Sequence, residues 1–173
     1  MALSLYDACV PSFVQILGSM EGVFAKAQEH CAKTGADANA LVGAKLVDDM
    51  LPLSFQVTSV AHHSVGAIKG VTAGTFGPPA GGTAYDFAGL RKLLAESRAA
   101  VEAVTPAELN AFEGKDVVFA MRDFKIPFTA EGFLLSFSLP NFYFHATTAY
   151  DILRGRGVPI GKRDFLGKMR IKT

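Results

Sequence analysis

Two histidines stand where they could share a site. His145 lies within the longest strongly apolar run, AEGFLLSFSLPNFYFHATTAYDILRGRG from Ala130 to Gly157, and His63 lies in an earlier stretch of helical rhythm. At 3.6 residues per turn Leu134, Ser138, Asn141, Phe142, His145, Ala149, Ile152 and Leu153 share one face, with Tyr143, Tyr150 and Arg154 opposite. Ser138, Asn141 and His145 then border the interior, where an unpartnered polar group costs roughly 1–3 kcal/mol. Asp49, Gln56 and His63 recur at a spacing of seven, which makes a polar row along one edge of the earlier helix. Two imidazoles and a carboxylate suit zinc, nickel or iron with one coordination position open. His63 and His145 are the candidate metal ligands, and Asp49, Gln56 and Asn141 the candidate contacts to a cofactor or small molecule. A complete H-x-x-x-H pair is absent, because Asn141 and Ala149 flank His145 at that spacing. The competing reading makes His145 a core histidine bonded to Asp49, Gln56 or a backbone carbonyl, which fixes how two helices pack.

Other reactive groups carry less. Cys9 lies near a helix start, where the macrodipole lowers a thiol pKa, but free cysteine is more often a small packing residue, and Cys31 reads the same way. The two are too far apart along one helix to bridge. GTFGPPAGGT, from Gly74 to Thr83, lacks the lysine of a phosphate-binding loop and reads as an irregular surface connection. His62 points away from the polar row, toward water, and His30 sits on the outer face of the first helix.

The elements that position these residues follow from capping and periodicity. Ser4 caps a first helix whose Tyr6, Val10, Phe13, Leu17, Met20 and Phe24 repeat at bundle spacing, with a bend expected at Pro11 and an end at Gly35. Asp37 caps a short helical piece. Pro52 opens a second helix, whose buried stripe is Leu53, Val57, Val60, Ser64 and Ile68. A third starts between Thr83 and Asp86, and Thr105, Pro106 and Glu108 give the cap, first-turn proline and capping-box acid of a short further one. KDVVFAM and FKIPF, separated by Arg122 and Asp123, read as a hairpin with Pro127 on an edge. Thr129 caps the long last helix, with a kink expected at Pro140, and VPIGKRDFLGKMRIKT follows as an irregular tail. The fold class is mainly α: a four-helix bundle with a small hairpin before its last long helix.

At 173 residues, 50% hydrophobic, the chain suits one domain over residues 1–173 with a substantial core. A formal net charge of +1 gives no field that would draw it to nucleic acid or anionic lipid. Seven basic residues (Arg154, Arg156, Lys162, Arg163, Lys168, Arg170 and Lys172) against one acid, Asp164, follow residue 153. They read as a solvated strap anchored by Val158, Ile160 and Phe165 on the bundle or a second subunit. No signal peptide or membrane span is read, and two unbridged cysteines fit a reducing compartment, so the expectation is a soluble cytoplasmic protein.

SLYDACVPSF, DDMLPLSFQV and LPNFYFHATTAYDILRGRGVPIGKRDFLG, in this order, resemble domain-of-unknown-function family 1993, grouped with the DinB and YfiT-like bundles. The resemblance covers nearly the whole chain. It implies a four-helix bundle, often dimeric, in a superfamily that includes metalloenzymes and thiol-dependent transferases or isomerases. Typical members bind a divalent metal with one histidine on the second helix and an H-x-x-x-H pair on the fourth. His145 falls in the fourth-helix region and His63 is the second-helix counterpart. The expected function is thus a bundle protein with a polar inter-helix pocket, acting on a metal or small molecule. The alternative is a metal-free, non-catalytic homodimer that uses Tyr143, Tyr150 and the tail as its interface.

Overall fold

The computed structural model describes residues 3–79, 81 and 83–172. Helix α1 (Leu5–Thr34) is capped by Ser4, whose side chain accepts from the Asp7 N–H, and ends at Gly35 with φ +72°, the left-handed geometry that favours glycine. Its inward face (Phe13, Leu17, Met20, Val23 and Phe24) is wholly buried. In length and mean hydropathy, 1.3 over its most apolar 18 residues, α1 matches a membrane span, and half of that window is buried inside the bundle. A 3-10 turn, Ala38–Leu41, follows the Asp37 cap. Gly35, Asp37 and Ser4 thus act as their residue types dictate.

The second helix departs from the even rhythm of its sequence. It runs as α2 (Leu53–Ala61), widens into a π-helical segment over His62–Gly66, and resumes as α3 (Ala67–Ala73). The last long helix does the same: α6 (Ala130–Gly132), a π-helical segment over Phe133–Ser138, then α7 (Leu139–Gly155). Pro140 in the first turn of α7 has no N–H to donate, and the widened turn lies immediately before it. Between these two broken helices stand α4 (Phe87–Glu102), capped by Asp86, and α5 (Pro106–Asn110), closed by a Thr105–Glu108 capping box.

β2 (Asp116–Met121) and β3 (Phe124–Thr129) form the expected hairpin, with Val118 opposite Pro127 on the edge strand. A third strand, β1 (Thr75–Phe76), pairs in parallel with β2 through Thr75 opposite Val118. This corrects the reading of Gly74–Thr83 as wholly irregular; Ala80 and Gly82 of that stretch lie outside the described residues. Two residues are too short a strand for a pattern, and what admits them is Gly77, where a Cβ would meet Ala120 O at 2.8 Å.

The tail is likewise more ordered than its composition suggests. Val158 and Ile160 are buried, and α8 (Lys162–Leu166) lies on α1. Lys26 Nζ pairs with Asp164 Oδ1 at 2.6 Å, and Gln15 Nε2 donates to Leu166 O at 2.8 Å. The strap therefore closes on its own bundle. Tyr150, expected on the exposed face, is half-buried and meets Phe165 edge-on.

Candidate functional site

The two π-helical segments face each other, and the histidine pair lies where they meet. His63 Nδ1 stands 3.2 Å from Ser138 Oγ, and Ser138 Oγ donates to His63 O at 3.2 Å. One segment thus carries the histidine and the other its hydroxyl partner. The His63 and His145 rings are 5.9 Å apart between centres and 16° from parallel. Phe76 and Phe137 pack on His63 at 5.5 and 5.8 Å, and Phe55 and Phe144 meet His145 edge-on at 5.8 and 5.3 Å. These aromatic neighbours bury the His63 ring and leave His145 half-buried.

The hydrogen bonds favour the same tautomer on both rings. Gln56, only 2% exposed, donates through Nε2 to Leu51 O at 2.9 Å, which turns its Oε1 toward His145 Nδ1 at 2.8 Å. An amide oxygen only accepts, so His145 Nδ1 carries the proton. The single hydroxyl proton of Ser138 goes to His63 O, so its oxygen accepts from His63 Nδ1–H. On each ring Nε2 is left as the lone-pair nitrogen. Burial drives His63 from the usual 6.5 down to about 3, with repulsion from the rings of His62 and His145 adding to it. Burial alone brings His145 down to about 4. At neutral pH both imidazoles are uncharged lone-pair donors.

Of the five predicted site residues, then, the structure joins His63, His145 and Gln56. Asp49 does not join them. It is exposed in a turn before α2, because the helix starts only at Leu53, so its seven-residue spacing from Gln56 is not a helical one. Asn141 is half-buried but donates back to Phe137 O of its own helix at 2.7 Å, which spends its amide on the turn ahead of Pro140. Ser138, named at first only as a face residue, is the partner that matters. His62 was expected in water, yet it stacks on Phe76 at 4.3 Å and donates from Nε2 to Gly77 O at 2.8 Å, because the wide turn brings adjacent histidines inward together. Cys9 is buried with its thiol pushed up to about 11, so burial overrides the helix dipole there, and both cysteines are free.

The donor chemistry suits a metal in part. Two imidazoles bonded to one ion at about 2.1 Å hold their centres roughly 5–6 Å apart, close to the 5.9 Å found. Committed Nδ1 protons are also what ligand imidazoles require. Among the described residues, however, no third histidine, cysteine or carboxylate converges with them.

Comparison with known proteins agrees with this architecture. Residues 5–166 match the family described as Domain of unknown function (DUF1993). The chain belongs to the DUF1993 family. A crystal structure of a DinB family member protein from Shewanella denitrificans superposes with a TM-score of 0.82 at 28% identity, over 98% of this chain and 95% of that one. No curated protein matches the chain. The DUF1993 chain is therefore a mainly helical, DinB-like protein with a small three-stranded sheet.

Proposed function

We propose that this DUF1993 protein is a ligand-binding protein whose working groups are the Nε2 lone pairs of His63 and His145. The observation that carries this is the commitment of both Nδ1 protons, to Ser138 Oγ and Gln56 Oε1. General-base catalysis fits poorly. A base works best with its pKa near the operating pH, and burial holds these two near 3 and 4. Accepting a hydrogen bond or binding a Lewis acid needs only a lone pair. A borderline divalent ion (zinc, nickel or iron) completed by a thiol or water from outside the chain suits two neutral imidazoles, and it would act as a Lewis acid on whatever fills its open positions.

Nitrogen-15 NMR of the histidines tests both parts. We expect Nδ1–H signals for both rings at neutral pH, and zinc addition to shift both Nε2 signals together, with His145→Asn abolishing the shift at His63. Protonated Nε2 on either ring would overturn the lone-pair reading. Unmoved Nε2 signals at saturating zinc, nickel and iron would leave a metal-free site for a hydrogen-bond-donating small molecule. A non-catalytic homodimer is the second reading, favoured by the exposure of Leu135, Tyr143 and Phe144 on the last long helix. Light scattering that returns a monomer mass would remove it.

A further inference from the structure

A second site lies beside the histidine pair. A cleft of about 640 Å³ opens along α2, the His62–Gly66 segment and α4, within the range of small-molecule sites. Phe55, Val65 and Leu93 give it apolar walls, while His62, Gly66 and Lys69 line it along one helix. We propose that this cleft binds a small organic acid with an apolar body and a hydroxyl at the end opposite its carboxylate.

Three observations converge on that class. First, His62 donates Nε2–H to Gly77 O, which in the neutral ring makes Nδ1 the acceptor. Second, Gly66 has ordinary right-handed helical geometry, φ −63°, so its backbone does not call for glycine. A glycine inside a helix costs about 0.5–1 kcal/mol relative to alanine. What glycine supplies here is room, because a Cβ would stand 3.2 Å from His62 Nδ1. The acceptor and the space beside it form one feature, sized for a hydroxyl. Third, no carboxylate stands among the described residues lining the cleft, and Lys69, which is exposed, makes no ion pair among them. Lys69 lies seven residues beyond His62, roughly 10 Å along a helix axis at 1.5 Å per residue. That separation matches the two ends of a fused-ring or short-chain hydroxy acid better than a compact anion. The hydroxyl donates to His62 Nδ1, the carboxylate meets Lys69, and the body covers the apolar wall.

Fluorescence titration with a hydroxynaphthoate, whose hydroxyl and carboxylate lie at opposite ends of the rings, tests the assignment. Saturable binding is expected, weaker for naphthoate, which lacks the hydroxyl, and weaker for hydroxynaphthamide, which lacks the charge. Lys69→Gln lowers hydroxynaphthoate affinity about two- to fivefold, the scale of an exposed ion pair, and leaves hydroxynaphthamide unaffected. Gly66→Ala weakens hydroxynaphthoate and hydroxynaphthamide by about tenfold, because its Cβ fills the space beside His62 Nδ1, and leaves naphthoate, which places no hydroxyl there, unaffected. His63→Asn and His145→Asn leave binding intact, which separates this site from the one proposed above. No saturable binding to the unaltered chain, or binding indifferent to both Lys69→Gln and Gly66→Ala, overturns the proposal.

Discussion

Mild acid acts on this fold through the buried imidazoles before it reaches any carboxylate. His63 and His145 have native values of about 3 and about 4, against 6.5 for the exposed side chain. Between these limits the unfolded chain takes up protons that the native chain refuses, so stability is complete above 6.5 and falls with pH below it. From about pH 7.5 to about pH 5 the unfolded side gains roughly 1.5 pH units of protonation, or about 2 kcal/mol for well-buried His63 at 1.36 kcal/mol per unit. His145 is only half-buried, and solvent screening reduces its share to about 1 kcal/mol. The sum, about 3 kcal/mol, is a large part of the 5–15 kcal/mol that holds a typical domain together. His62 is lowered as well, again by burial first, and adds in the same sense. Glu108, Glu131 and Asp164, held below their ordinary 4.5, 4.5 and 3.8 by hydrogen bonds, lose stabilisation only at lower pH. The interval between about pH 5 and about pH 6.5 therefore reads the histidines. Urea unfolding at both ends of the range should give a loss of about 3 kcal/mol in the unaltered chain and under about 1 kcal/mol in the His63→Asn, His145→Asn double variant. Equal losses in the two chains, or native imidazole resonances that titrate near 6.5, would refute the reasoning.

The strap and the first cysteine offer two further checks. Gly167 has φ +58° and ψ −142°, and a Cβ there would sit 2.8 Å from Ser19 Cβ; Gly167→Ala should cost about 1–3 kcal/mol, read as faster tryptic cleavage at Lys162 and Lys168 and a lower thermal midpoint. Cys9, fully buried with its thiol near 11, should react with a disulfide reagent at mildly alkaline pH only as fast as the chain opens, and prompt labelling in the native state would show that its thiolate is accessible.

What was legible in the sequence is what local chemistry decides. Ser4, Asp37, Asp86, Thr105 and Thr129 each cap through their own side chains, as their positions before apolar periodic runs imply. The β-branched and aromatic content of KDVVFAM and FKIPF, separated by Arg122 and Asp123, gave the hairpin by the same kind of local chemistry. Of the predicted site, Gln56, His63 and His145 were legible, because Gln56 and His145 lie in regular helix and His63 only two residues past the end of one. Its other members were misplaced where that regularity ends. Asp49 looked in phase with Gln56 only on a helix extended backward through Pro52, and the chain there is a turn. Ser138 and Asn141 looked equivalent on an ideal wheel. The wide turn over Phe133–Ser138 sends one hydroxyl across to His63 and lets the neighbouring amide fall back on its own helix.

These irregularities explain why the niche exists at all. Two ideal helices meeting here would bury a hydrocarbon seam like the one α1 presents, where Phe13 and Phe142 pack edge-on at 4.9 Å. Instead both helices widen at the same level, and the two hydrogen bonds that Ser138 Oγ makes with His63, to its carbonyl and its ring, tie the two wide turns together. Wide turns hold poorer backbone geometry than the α-helix and recur at functional sites. Paired deviations that converge on two lone-pair nitrogens are hard to attribute to packing, because packing alone would favour apolar side chains and unbroken helices at that level. The sequence trace of this arrangement is slight: adjacent histidines four and three residues before Gly66, and Ser138 two before Pro140, each set in an apolar helix. Read together, they mark a level of the bundle at which helical regularity is given up on both sides.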